Sequence, residues 1–137
     1  MGLQASIEIT YSKNIDFISF WKLLLSNGWH YDDHNRITFI LNDDYDWEDD
    51  VLQSFDKVFD KLKHRFSNNE LIGIALLNDE NIGGMFHFMP NKRQIMILVN
   101  INRKRILDTN QTDFTFYAKM LIPILDNVEI ITYEDIT

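Results

Sequence analysis

Leu41 to Asp50 read LNDDYDWEDD, which places six carboxylates in ten residues with Tyr45 and Trp47 threaded between them. Oxygen ligands this dense suggest a calcium loop, which needs ligands at positions 1, 3 and 5, a glycine at 6 and a bidentate glutamate at 12. Starting at Asn42 puts Trp47 at position 6 and Gln53 at 12. Starting at Asp44 puts Asp49 and Phe55 there, and starting at Asp46 puts Val51 and Lys57 there. Every register fails at both positions, so no metal is expected in this segment. A catalytic carboxylate pair needs a cleft and two acids whose environments push their pKa values apart. Adjacent acids at a helix start share solvent instead.

Two readings remain. In the first, Asp46 is the N-cap of a helix, and Trp47, Glu48, Asp49 and Asp50 fill its first turn, where each carboxylate gains ~0.3–1 kcal/mol from the helix dipole. Asp43 and Asp44 precede the cap, and neighbouring charges about 6 Å apart in water repel by roughly 0.7 kcal/mol per pair. Capping leaves those two unexplained. In the second reading the segment is a recognition face: a partner bearing Lys and Arg relieves the repulsion and is steered in by it. Asp43, Asp44, Tyr45, Asp46, Trp47, Glu48, Asp49 and Asp50 then form the contact, with Tyr45 and Trp47 as aromatic anchors.

Asp32 and Asp33 form a second acidic group. If residues 36–41 are a strand, six residues at ~3.3 Å set it about 20 Å from the first, beyond the ~8 Å screening length. It is expected to be a separate, secondary contact. His30, Asp32 and His34 carry zinc-ligand chemistry if a turn converges them. His64 and His87 show no partner. Arg103, Lys104 and Arg105, with Lys92 and Arg93, are expected to be charged loops at one end of a meander, protecting strand edges, rather than a phosphate site. The chain has no nucleophile elbow, phosphate loop or His-Glu pair on a helix.

The charge is concentrated. Of a formal net charge of -8, residues 32–50 carry eight acids against Arg36 alone, a net of -7. An acidic balance disfavours nucleic acid and anionic membrane as direct partners and favours a basic protein. The absence of cysteine removes disulfides, thiol nucleophiles and thiolate zinc sites and fits a reducing cytoplasm. No apolar run reaches the ~18 residues of a membrane span, and no basic-then-apolar leader opens the sequence. Met1 to Ser6 match the short myristoylation pattern, but no polybasic companion follows to hold a single acyl chain at a membrane. A cytoplasmic protein without a cofactor is expected.

Apolar periodicity supplies the elements that would hold these residues. Gln4 to Tyr11 alternates as a strand. Asn14 can cap a helix carrying Phe17, Ile18, Trp21, Leu24 and Leu25, stopped at Asn27-Gly28. Trp29–Tyr31 and Arg36–Leu41 flank a turn-rich tetrapeptide and suggest a hairpin. Val51, Phe55, Phe59, Leu62 and Phe66 step by 4, 4, 3 and 4, one face of a helix about five turns long. Leu71–Leu77, Ile82–Met89 and Gln94–Ile101 form a three-strand meander, with Gly83-Gly84 at a strand bend. The continuous apolar run Ile95–Val99 marks a strand covered on both faces, the expected sheet centre. Asp113–Leu125 carries a helical stripe whose last turn Pro123 disturbs, and Val128–Tyr133 closes the chain as a strand. The expectation is one α+β domain over residues 1–137, a mostly antiparallel mixed sheet of about five to six strands with three helices packed on it.

A small, acidic, cysteine-free α+β chain with one concentrated acidic segment resembles the immunity proteins of bacterial contact-dependent growth inhibition, the polymorphic toxin systems. The likeness is compositional and covers the whole chain without a defining motif. It implies a protein that binds and neutralises a cognate toxin domain, in many cases a basic nuclease, through an acidic surface. Two other classes stay open: a small metal-assisted enzyme with a pocket between sheet and helices, using His30, Asp32 and His34, and a homodimeric scaffold.

Overall fold

The computed structural model describes residues 4–41 and 46–136. Among these, seven strands form one sheet: β1 (Gln4–Tyr11), β2 (Arg36–Ile40), β3 (Glu48–Val51), β4 (Ile72–Leu77), β5 (Gly83–Phe88), β6 (Gln94–Ile101) and β7 (Val128–Ile136). Their spatial order is β3-β2-β4-β5-β6-β1-β7, and every pairing is antiparallel. Three helices complete the fold: α1 (Phe17–Ser26), α2 (Phe55–Ser67) and α3 (Phe114–Met120). The α+β class is as expected. The additional strand, Glu48–Val51, takes in the last three acids of the acidic segment.

Period-2 alternation divides each strand between two faces. Ile7, Ile9, Ile37, Phe39, Ile72, Ile74, Leu76, Phe86, Phe88, Ile95, Ile97 and Val99 fall on one face and join one hydrophobic core with Phe17, Leu24, Val58, Leu62, Phe66, Tyr117 and Leu121 of the helical layer. All three helices therefore pack on the same face. The aromatic rings concentrate there: Phe17 lies 5.3 Å from both Phe66 and Phe88 between centroids, and Tyr31 stacks on Phe55 at 3.8 Å. Tyr117 is fully buried and its hydroxyl accepts from the Lys104 N–H at 3.0 Å, which ties α3 to the loop after β6.

The meander β4–β5–β6 matches the sequence reading, and the bend at Gly83-Gly84 is a register shift where β5 meets β6. A Cβ on Gly84 would stand 2.0 Å from the Leu98 carbonyl oxygen, so only glycine allows this approach. The sheet centre differs from expectation. It is β5, flanked by β4, whose six residues are all buried, while in β6 Met96 and Leu98 are half-exposed. A continuous apolar run records what each side chain is, not whether a helix covers it, and the helices cover one face only.

Helix starts also differ. Asp16, not Asn14, caps α1 by accepting from the Ser19 N–H at 3.1 Å. Asn27 ends it and Gly28 takes φ +93°, as the stop signal predicts. α2 begins only at Phe55, after a short 3-10 turn at Leu52–Ser54. α3 gives way at Met120 to a 3-10 turn at Ile122–Ile124 containing Pro123. The hairpin expected between residues 29–31 and 36–41 does not form. His30 instead bridges Leu77 of β4, and β2 pairs with β3 and β4.

Candidate functional site

Asp46 is therefore not a helix cap. Glu48, Asp49 and Asp50 lie in β3, a four-residue strand at the sheet edge, registered Phe39↔Glu48, Thr38↔Asp49, Ile37↔Asp50 and Arg36↔Val51. Carboxylates have poor intrinsic strand preference, and pairing with β2 supplies what local sequence lacks. Asp43, Asp44 and Tyr45 lie outside the described residues.

The pleat divides these acids. Glu48 and Asp50 share the face of Phe39 and Ile37, the helical side, and line a groove of about 670 Å³ whose far wall is α2 with Lys57, Lys61, His64 and Arg65. Lys61 and Arg65 fall four and eight residues along from Lys57, with His64 at seven, one helical stripe. That spacing was readable in the sequence and is what the acidic reading missed. Asp49 takes the opposite face, where Arg36 Nη2 donates to its Oδ1 at 2.9 Å and Arg36 Nε to its Oδ2 at 3.3 Å. This bond, more than plain charge attraction, holds the Asp49 carboxyl below its ordinary pKa and raises the Arg36 guanidinium.

Trp47 is not an outward anchor. Its indole lies over the face without helices, with Cη2 so close to Gly73 that a Cβ there would meet it at 2.9 Å. Its edge meets His87 at 5.2 Å between centroids with the planes at 86°. His87 is buried, and desolvation lowers its pKa more than its hydrogen bonds to Met96 and Met85 raise it. Trp47 thus fastens the acidic hairpin to the sheet centre.

The secondary group is nearer than the strand-length argument placed it. β3 folds back along β2, Leu52 N–H donates to the Asn35 carbonyl, and Asp33 and Arg36 exchange backbone hydrogen bonds at 3.0 and 3.1 Å. Asp32 and Asp33 therefore adjoin the Asp49–Asp50 end of the hairpin, with Arg36 between the two groups. Asp32 Oδ1 accepts from the Asn35 N–H at 2.9 Å and closes the turn.

His30, Asp32 and His34 are not brought together. His30 Nε2 lies 2.9 Å from the Asn78 carbonyl oxygen, whereas His34, 96% exposed at its side chain, contacts Asp33 Oδ1 at 2.6 Å. Among the described residues no three His, Asp or Glu side chains group in a way that could hold a metal ion.

The basic loops are likewise separated, not gathered at one end. Lys92 and Arg93 precede β6 and Arg103–Arg105 follow it, and its eight residues set them about 25 Å apart. Lys92 Nζ donates to the Ser67 carbonyl and Arg93 Nε to Asn14 Oδ1. Arg103 spends its guanidinium on Asn110 and Thr112, and Thr112 in turn bonds Asp135 of β7. No described helix is long and apolar enough to cross a membrane. In comparisons with known protein families, curated proteins and solved structures, the chain matches none.

Proposed function

We propose that this chain is an immunity-type protein, a binder and not an enzyme, that captures a basic toxin domain, such as a nuclease, through the acidic hairpin at the β2–β3 edge. The observation that carries the reading is the mounting of that hairpin. The carboxylates of β3, divided between its two faces, are held at the sheet edge by the Arg36–Asp49 pair and by Trp47 clamped over Gly73 and His87. Contact residues on regular, well-supported elements are placed more precisely than those on loops. A nuclease surface built to attract phosphates would accept carboxylates in their place.

Charge on an edge strand also guards it against pairing with other sheets. That role accounts for Glu48, Asp49 and Asp50. It leaves Asp43 and Asp44, which precede the strand in the sequence, available to the proposed contact. Asp49, bound to Arg36, and Trp47, turned onto the sheet, act as supports of the contact and not as its tips.

The test is to purify the chain with the toxin domain encoded beside it and to measure that domain's activity as the chain is added. Stoichiometric inhibition is expected. Full toxin activity in the presence of excess chain would reject the reading.

A further inference from the structure

The two edges of the sheet are built in opposite ways. β3 is four residues long and heavily charged, whereas β7 runs nine residues, Val128–Ile136, without Pro, Gly, Lys or Arg. Short charged edges are protected; long ones with exposed apolar side chains invite another strand. Ile130 and Ile136 are 60% and 48% exposed.

The backbone of β7 is set to receive a strand. Tyr11 N–H donates to Arg93 and Ser12 N–H to Asn127, so alternation turns the N–H groups of Ser6, Glu8 and Thr10 toward β7. Their partners Glu134, Thr132 and Ile130 are thereby engaged with β1. Ile131, Tyr133 and Asp135 turn their N–H and C=O groups outward.

Charge selects the occupant. β1 and β7 together carry Glu8, Glu129, Glu134 and Asp135 and no Lys, Arg or His. Asp135 is bonded to Thr112 on the helical side, while Glu8, Glu129 and Glu134 are exposed. A second copy docking β7 on β7 would bring two such strands together without a cation between them, and like charges across a ladder repel.

We propose that the outer edge of β7 takes an extended segment of a partner protein, bearing alternating Lys or Arg and apolar residues, as an eighth strand. The incoming backbone pairs with Ile131, Tyr133 and Asp135; its cations fall on the open face beside Glu134, and its apolar side chains on the helical face beside Ile131 and Tyr133. This surface is at the opposite edge from the acidic hairpin and does not depend on the toxin-binding reading.

The probe is an end-blocked synthetic peptide of about ten alternating Lys and Val residues, the length of one strand, with an alternating Glu and Val peptide as control. Amide hydrogen exchange is read on the intact chain by NMR. The Lys peptide is expected to slow exchange at Ile131, Tyr133 and Asp135 by roughly tenfold, and Ile130→Lys and Glu134→Lys should each abolish the effect while leaving the exchange pattern of β4–β6 unchanged. Three outcomes overturn the proposal: no slowing at those amides, equal slowing by the Glu peptide, or concentration-dependent protection without peptide, which would make a second copy the occupant.

Discussion

Gly73→Ala tests whether Trp47 is the clamp of the acidic hairpin. The new Cβ would stand 2.9 Å from Trp47 Cη2 and 3.1 and 3.2 Å from Ile40 Cδ1 and Cγ1. Carbon atoms rest at about 3.5–4.0 Å, so the indole must retreat by roughly 0.6–1 Å and loosen its contact with His87. Overpacking of this kind costs ~1–3 kcal/mol, and alanine returns ~0.5–1 kcal/mol in backbone entropy. The net loss is ~0–2.5 kcal/mol, centred on about 1. With a urea slope of ~1–3 kcal/mol per molar, the unfolding midpoint should fall by roughly 0.5 M. The same substitution made in Trp47→Ala meets only Ile40 and should cost less, a coupling of about 1 kcal/mol or more in the double-mutant cycle. A coupling below ~0.3 kcal/mol would refute the clamp.

Two further outcomes follow from the same sheet. His87 is buried with its pKa lowered from the ordinary 6.5, so the unfolded chain takes up the proton first and stability is lost as pH falls below that value. Urea midpoints measured from neutral to mildly acidic pH should fall less steeply for His87→Gln than for the parent chain; parallel curves would mean that His87 is protonated at no cost in the fold. Gly84→Ala drives a Cβ to 2.0 Å from a backbone oxygen of β6, so part of the meander must move and a loss above ~3 kcal/mol is expected. Unfolding at an unchanged urea midpoint would contradict that close approach.

The meander and the helices were legible because apolar side chains recur there with the period of the element. The acidic strand was not. Glu48-Asp49-Asp50 has no apolar alternation, and its acids suit a helix start as well as they suit solvent. Only pairing with β2, between residues nine to fifteen positions apart along the chain, makes it a strand. Val51 continued the spacing of α2 backward by coincidence; it is a strand residue, 44% exposed. The spacing of Lys57, Lys61 and Arg65 is a helical stripe in the sequence, but that it faces Glu48 and Asp50 emerges only once α2 lies beside β3. A linear charge count sums acids that the fold sends to different faces, so Asp49 is absorbed by Arg36 and Trp47 by the sheet. Asp43 and Asp44 remain as acids that the strand does not account for.

The central claim is tested most directly by the association rate between the chain and the toxin domain encoded beside it, measured by stopped flow over a range of salt concentrations. With Asp43 and Asp44 both changed to Lys, the rate at low salt should drop by ~10-fold or more and its salt dependence should flatten, with the urea midpoint of the free chain measured alongside as the control for folding. An unchanged association rate and salt slope would contradict the claim that the acidic hairpin is the surface that meets the toxin.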